Sequence, residues 1–230
     1  VKDALAEPGL LGLHVPEEYG GRDLDPVSFA LVFEEISRGW MGIAGILGSH
    51  SLACKMIAVH GTDEQRRAYL PDLSAGVRRT GIALTEPDAG SDVSSLRTKA
   101  VYDEAKDEWV LNGTKAWITN GGIADVHVVV ATVDPDLGSR GQASFVIPPG
   151  TAGLSQGQKY AKHGIRASHT AEVILDDVRV PGSCLLGGKE RLDEKLARAR
   201  ERLNNPSASA SGKQPAMASF EATRPAVGAM

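Results

Sequence analysis

The sequence predicts an α+β protein with an N-terminal all-helical domain, a middle antiparallel, barrel-like β-domain and the start of a C-terminal helical bundle. Three observations carry this. Apolar residues recur at helical spacing in roughly the first third of the chain. From about residue 80 the pattern becomes that of short strands, separated by Gly- or Pro-rich links with no helix between them. After Pro181 the helical period returns. The expected divisions are 1–79, 80–187 and 188–230.

In the first region, Asp25-Pro26 reads as a helix N-cap followed by proline at the first helical position. Phe29, Val32, Phe33 and Ile36 then form one stripe, and a second apolar segment runs from about Ile43 to Val59. Thr62-Asp-Glu-Gln65 has the pattern of a capping box, opening a short helix that Pro71 is expected to end. In the middle region "EWVLNGTKAWIT" reads as two strands joined by a tight turn at Asn112-Gly113, because such turns need φ > 0 at both positions. Further strands are expected in "VHVVVATV", "ASFVIP" and "AEVILDDVRVP". In "KERLDEKLARARERLNN", Leu192, Leu196, Ala199 and Leu203 share a face and Glu194 precedes Arg198 by one turn. Its charges read as a solvated face. A polar linker, "PSASASGKQPA", leads into "MASFEATRPAVGAM", which reads as the beginning of a further helix. A chain that stops there is expected to be a piece of something longer.

Of the 230 residues, 42% are apolar and 23% charged, the balance of a globular protein. A net charge of −4 without long single-sign blocks gives no basic face for nucleic acid. No uninterrupted apolar run reaches the ~20 residues of a membrane span, so none is expected. The opening residues show no signal-peptide layout. Cys54 and Cys184, far apart and outside any CxxC spacing, suit a reducing, cytoplasmic setting. The six histidines lack metal-ligand spacing.

Neither GxGxxG nor GxxxxGK[ST] occurs, which removes the commonest dinucleotide and P-loop motifs. Two segments remain. In "IALTEPDAGSDVSS", Gly90 permits close backbone approach, and the N–H groups from Ala89 to Asp92 are placed to form an anion-binding nest. In "AWITNGG", a tryptophan beside a hydroxyl residue at a strand end suits a flat heteroaromatic ring. Each also has an ordinary structural reading: a polar bend, and a core tryptophan in a hairpin.

Residues 84–92, "LTEPDAGSD", and 111–122, "LNGTKAWITNGG", resemble the flavin-binding signature of the acyl-CoA dehydrogenases. "LGLHVPEEYGG", "HGTDEQRRAYLPDLSAG", "KHGIRASHTAEVILDDVRVP" and "FEATRPAVGA" fall in that family's order and extend the resemblance over nearly the whole chain. It implies FAD lying along Ile82, Leu84, Thr85, Gly90 and Ser91, with Trp117, Ile118 and Thr119 at the flavin ring. Ser91, Glu221 and Arg224 would help bind the thioester substrate. Asp88 stands where the family often has glycine and is expected to point to solvent. Glu86 is expected to be solvated or hydrogen-bonded rather than a catalytic base.

The implied reaction is α,β-dehydrogenation of an acyl-CoA to a trans-2-enoyl-CoA, with electrons leaving to an electron-transfer flavoprotein. No catalytic base is assignable. Some relatives carry a glutamate immediately before the last arginine, where this chain has Thr223, and the others place it further on, beyond residue 230. Family members are usually dimers of dimers. Two other readings stay open: an acyl-CoA oxidase or flavin monooxygenase of the same fold, or a non-catalytic subunit that binds FAD or acyl-CoA.

Overall fold

The structure, a computed structural model, describes residues 2–205. The linker, the last expected helix, Glu221 and Arg224 lie outside the described residues.

Four α-helices and seven strands, with five short 3-10 helices, make up the described residues. A short α1 (Lys2–Ala6) is followed by the long α2 (Pro26–His60) and by α3 (Asp63–Ser74). The α2 N-terminus forms as its residues dictate: the Asp25 carboxylate accepts from the Val27 and Ser28 N–H groups at 2.9 and 3.1 Å. The two apolar segments read from sequence are joined into α2 across a break at Trp40, whose φ of −160° is non-helical. By length and composition α2 is long and apolar enough to cross a membrane, a test that the buried core helix of a globular protein also passes. Here α2 buries Leu47, Ala53, Cys54 and Ile57 within the chain.

The Thr62/Gln65 capping box is present in both directions. The helix it opens continues through Pro71 to Ser74 instead of ending there. Proline in the last turn removes one donor, while Leu70 and Leu73 on either side are fully buried and hold the turn.

The sheet comprises β1 (Thr80–Ala83), β2 (Lys99–Asp103), β3 (Glu108–Thr119), β4 (Val126–Thr132), β5 (Gln142–Ile147), β6 (Leu154–Lys159) and β7 (Thr170–Pro181), and α4 (Lys189–Asn204) follows it. Strand order is β1-β4-β2-β3-β7-β6, with β5 also on β4. The pairings β2–β3, β3–β7, β4–β5 and β6–β7 are antiparallel as expected. However, β1 runs parallel to β4, and β2 meets β4 in parallel at Lys99–Thr132. The sheet is therefore mixed. β1 and β4 are not consecutive, and the β2–β3 hairpin between them returns the chain in its original direction.

Asn112-Gly113 is not a turn. β3 runs straight through it, and the β2–β3 turn lies earlier, at residues 104–107. Opposite Asn112-Gly113, β7 carries an extra residue, and Asn112 Oδ1 accepts the Asp177 N–H at 2.8 Å. Gly113 is needed because a Cβ there would lie 2.5 Å from Thr98 Oγ1.

β4 is buried on both faces, so it reads as a continuous apolar run rather than an alternation. Val126 and Val128 pack with Ile57, Leu70 and Leu73 of the helical layer. Val129 and Ala131 face the inside of the curled sheet, with Trp109, Leu111, Phe145 and Val173. Leu192 of α4 closes that interior, whereas Leu203 is exposed. Cys54 and Cys184 are buried thiols, their pKa values pushed by desolvation up to about 12 and about 11. At neutral pH neither is a thiolate.

Candidate functional site

The two bends meet. The first leaves β1 and the second ends β3, and the Thr85 carbonyl accepts the Ala116 N–H at 2.8 Å. Beneath this contact sits a buried ion pair that sequence reasoning missed. Lys115 Nζ is 2.7 Å from Glu86 Oε1, with the side chains 0% and 6% exposed. The same ammonium donates to the Leu84 carbonyl at 2.9 Å. Glu86 also accepts from the Thr98 and Arg97 N–H groups at 2.9 and 2.6 Å.

Buried ions are tolerated only when paired and hydrogen-bonded, and every Glu86 partner here is a donor. Burial pulls the Glu86 pKa upward, but Lys115, Thr98 and Arg97 together hold the carboxyl below its usual value. Burial lowers the Lys115 pKa, and Glu86 opposes that. Glu86 is thus hydrogen-bonded rather than solvated, and is committed to structure. The available signal was a lysine at a position of β3 whose neighbours Ala116 and Ile118 are core residues.

The first bend is a tight turn, with Glu86 and Ala89 exchanging main-chain hydrogen bonds. Asp88 points to solvent and meets Arg97 at 3.2 Å. The N–H groups of Gly90, Ser91 and Asp92 have no partner among the described residues. All three residues are exposed. The Asp92 carboxylate is turned the other way. Hydroxyl bonds from Ser94 and then Ser95 depress its pKa and fix it onto the next turn. At Gly90 a Cβ would meet nothing nearer than Thr85 Cγ2 at 4.0 Å, so its own chain does not demand a glycine.

The second bend is built from backbone strain. The β3–β7 register gains one β3 residue between Lys115 and Ile118, and in that bulge Trp117 has φ +56°, rare for a bulky residue. This conformation turns the indole outward, 53% exposed, stacked on Tyr160 at 5.8 Å between ring centroids. Tyr160 in turn donates its hydroxyl to Glu172. Asn120 follows at φ +61° and Gly122 at φ +73°. A Cβ on Gly122 would lie 2.3 Å from the Gln156 side chain, so the turn admits only glycine. The Gly122 N–H donates to His127 Nε2 at 3.3 Å. Burial depresses the His127 pKa to about 4, keeping the ring neutral.

Thr85, Gly90, Ser91, Trp117 and Thr119 lie on the exposed or half-buried parts of the two bends. Leu84 is half-buried and contributes its carbonyl to Lys115. Two expected residues point elsewhere. Ile82 packs toward the helical layer, and Ile118 lies in the interior of the sheet, so only its main chain is at the bend. Strand alternation sends these side chains inward.

Residues 81–178 match the family described as acyl-CoA dehydrogenase, middle domain, and residues 1–77 match acyl-CoA dehydrogenase, N-terminal domain. The chain belongs to the acyl-CoA dehydrogenase family. It is 41% identical to the acryloyl-CoA reductase (NADH) of Anaerotignum propionicum over 84% of this chain and 49% of that protein. The structure of butyryl-CoA dehydrogenase from Megasphaera elsdenii superposes with a TM-score of 0.77 at 34% identity, covering 86% of this chain and 52% of the other. The acyl-CoA dehydrogenase of Bacillus anthracis complexed with FAD gives 0.74 at 38% identity, covering 86% and 34%. The chain spans about half the length of the curated relatives it matches.

Proposed function

We propose that the protein containing this chain binds FAD across the two bends and oxidises an acyl-CoA thioester to its trans-2-enoyl-CoA. Electrons then pass to an electron-transfer flavoprotein, and the assembly is a homo-oligomer. One observation carries the reading: the main-chain bond between Thr85 and Ala116 joins a bend with unpartnered N–H groups to a bend with an outward tryptophan.

The residues present fit the cofactor. Successive N–H groups at Gly90, Ser91 and Asp92 suit a pyrophosphate, with the Ser91 hydroxyl beside them. The Trp117 indole and the Thr119 hydroxyl suit the face and edge of a flavin ring. When bound, FAD supplies the hydride acceptor that this chemistry requires. The chain's own residues bind and orient, and the Trp117–Tyr160 stack covers one side of the site.

None of the carboxylates at the bends is free to take an α-proton. Glu86 is held by Lys115, Asp88 faces Arg97, and Asp92 bonds Ser94 and Ser95. The base of the proposed reaction is therefore none of these three carboxylates.

The Anaerotignum relative, a reductase by name, favours a second reading in which the same site runs toward the saturated thioester. A visible absorption spectrum of the full-length protein, titrated anaerobically with acyl-CoAs of several lengths, tests both. A flavin band bleached by one length class supports the oxidation. Bleaching by NADH, with recovery on adding an enoyl-CoA, supports the reduction. A protein that stays colourless after soaking in excess FAD removes both.

A further inference from the structure

Away from the bends, a cleft of about 550 Å³ opens between β5 and α4. Its charged side chains are Arg140, Arg191, Lys195, Arg198 and Arg202, and no carboxylate lines it. In a chain of net charge −4 this is a segregated distribution.

The sequence of α4 produces it. Arg191, Lys195, Arg198 and Arg202 succeed one another at helical steps, so they form one stripe roughly 16 Å long. Leu192, Leu196 and Ala199 lie about a quarter-turn round, packed on or buried toward the sheet. Glu190, Glu194 and Glu201 fall on the flank away from that apolar face. The basic stripe therefore borders the buried face and overhangs β5, while the acidic stripe faces solvent.

Of the lining cations, Arg198 meets Glu194, which lies outside the cleft, at 2.6 Å, Arg191 bonds the His60 carbonyl, and Lys195 bonds the Gln142 carbonyl. Arg140 and Arg202 have no ion-pair partner among the described residues. Like charges one helical turn apart repel, so packing gives no reason to align them. The wall beside them is uncharged, with Ala143 and Leu186 next to Gln142 and Ser144.

We propose that this cleft binds an organic polyphosphate of the nucleoside-diphosphate kind, its phosphates along the α4 stripe and its flat base against the half-buried Leu186. Guanidinium forks match phosphate oxygens in geometry as well as charge. The concavity and volume are those of a small-molecule site rather than of a flat protein-docking surface. The inference stands apart from the flavin reading.

Calorimetric titration of the protein with ADP and with inorganic pyrophosphate tests it. ADP should bind saturably at one site, more tightly than pyrophosphate, and more weakly as salt rises. The double variant Arg140→Glu/Arg202→Glu should weaken ADP by at least about tenfold, the loss expected for two charge-assisted contacts. Lys159→Glu, on the far strand β6, should change it by less than about twofold if the effect is local rather than net charge. Both variants alter exposed residues, and circular dichroism should show unchanged folding. The double variant should keep the flavin absorbance of the wild type, which separates failure here from failure of the flavin reading. Absence of saturable ADP binding, or equal affinity in wild type and double variant, overturns the proposal. So does saturation by polyglutamate but not by ADP, which would make the cleft a docking surface for an acidic protein.

Discussion

The two bends of the candidate site are joined by a main-chain hydrogen bond but are held by opposite means. Around the first, from Glu86 to Ser95, the backbone avoids the left-handed region and its shape comes from a buried charge. Around the second, Trp117, Asn120 and Gly122 have positive φ, and its shape comes from local strain in a bulge. Strain is local and shows where a sequence places Asn and Gly. A buried ion pair is not, since its two members are far apart in the chain. The difference separates what side-chain substitutions should do at each bend.

Lys115→Met should have the largest effect, because it strands Glu86 as an unpaired buried carboxylate. Loss of such a partner costs about 3–5 kcal/mol, read as a fall in the denaturant midpoint at constant slope. Adding Glu86→Gln should recover part of that loss. If the double variant loses the sum of the two single ones, the pair is not coupled. Gly122→Ala comes next: a positive φ and a clash with Gln156 together should cost roughly 3 kcal/mol.

Acid should weaken the second bend and the helix–sheet junction. His127 accepts from Gly122, and His50 accepts from the Thr80 N–H while meeting the Leu73 carbonyl at 3.1 Å. Desolvation lowers both pKa values to about 4. An unfolded chain takes up these protons below about pH 6.5, and the folded chain only below about pH 4. Their contribution is therefore complete above pH 6.5 and is lost as pH falls to 4, by up to roughly 3 kcal/mol for each histidine. Thermal melts across that window should show the fall, and His50→Gln should flatten it. A stability that holds constant from pH 6.5 to 4 would contradict neutral, buried rings.

Trp117→Asn should have the smallest effect on stability. Asparagine tolerates positive φ, and the relief offsets the lost Tyr160 stack to within about 1 kcal/mol. FAD affinity should nevertheless drop in the same variant. A large loss of stability instead would make Trp117 a structural residue.

Much of this was legible in the sequence because it is local. The Asp25 and Thr62/Gln65 caps rest on contacts three residues apart or fewer, and both form as read. Asn112-Gly113 misled because residues that suit a tight turn also suit the strand opposite a bulge, and only the β7 pairing distinguishes the two. The strand β6 escaped notice as a largely polar, exposed edge with Gly157 inside it. At the site, both bends were found from their composition. Lys115 was not, since its partner is 29 residues away. Position in a motif does not reveal which side of a strand a residue takes, so the inward side chains of Ile82 and Ile118 were not legible.

Hydrogen–deuterium exchange of the full-length protein, with and without FAD, most directly tests whether the two bends form one site. FAD should slow exchange at Gly90–Asp92 and at Trp117–Gly122 together, at the same cofactor concentration. Protection confined to one bend, or absent from both while FAD is bound, would contradict a shared site.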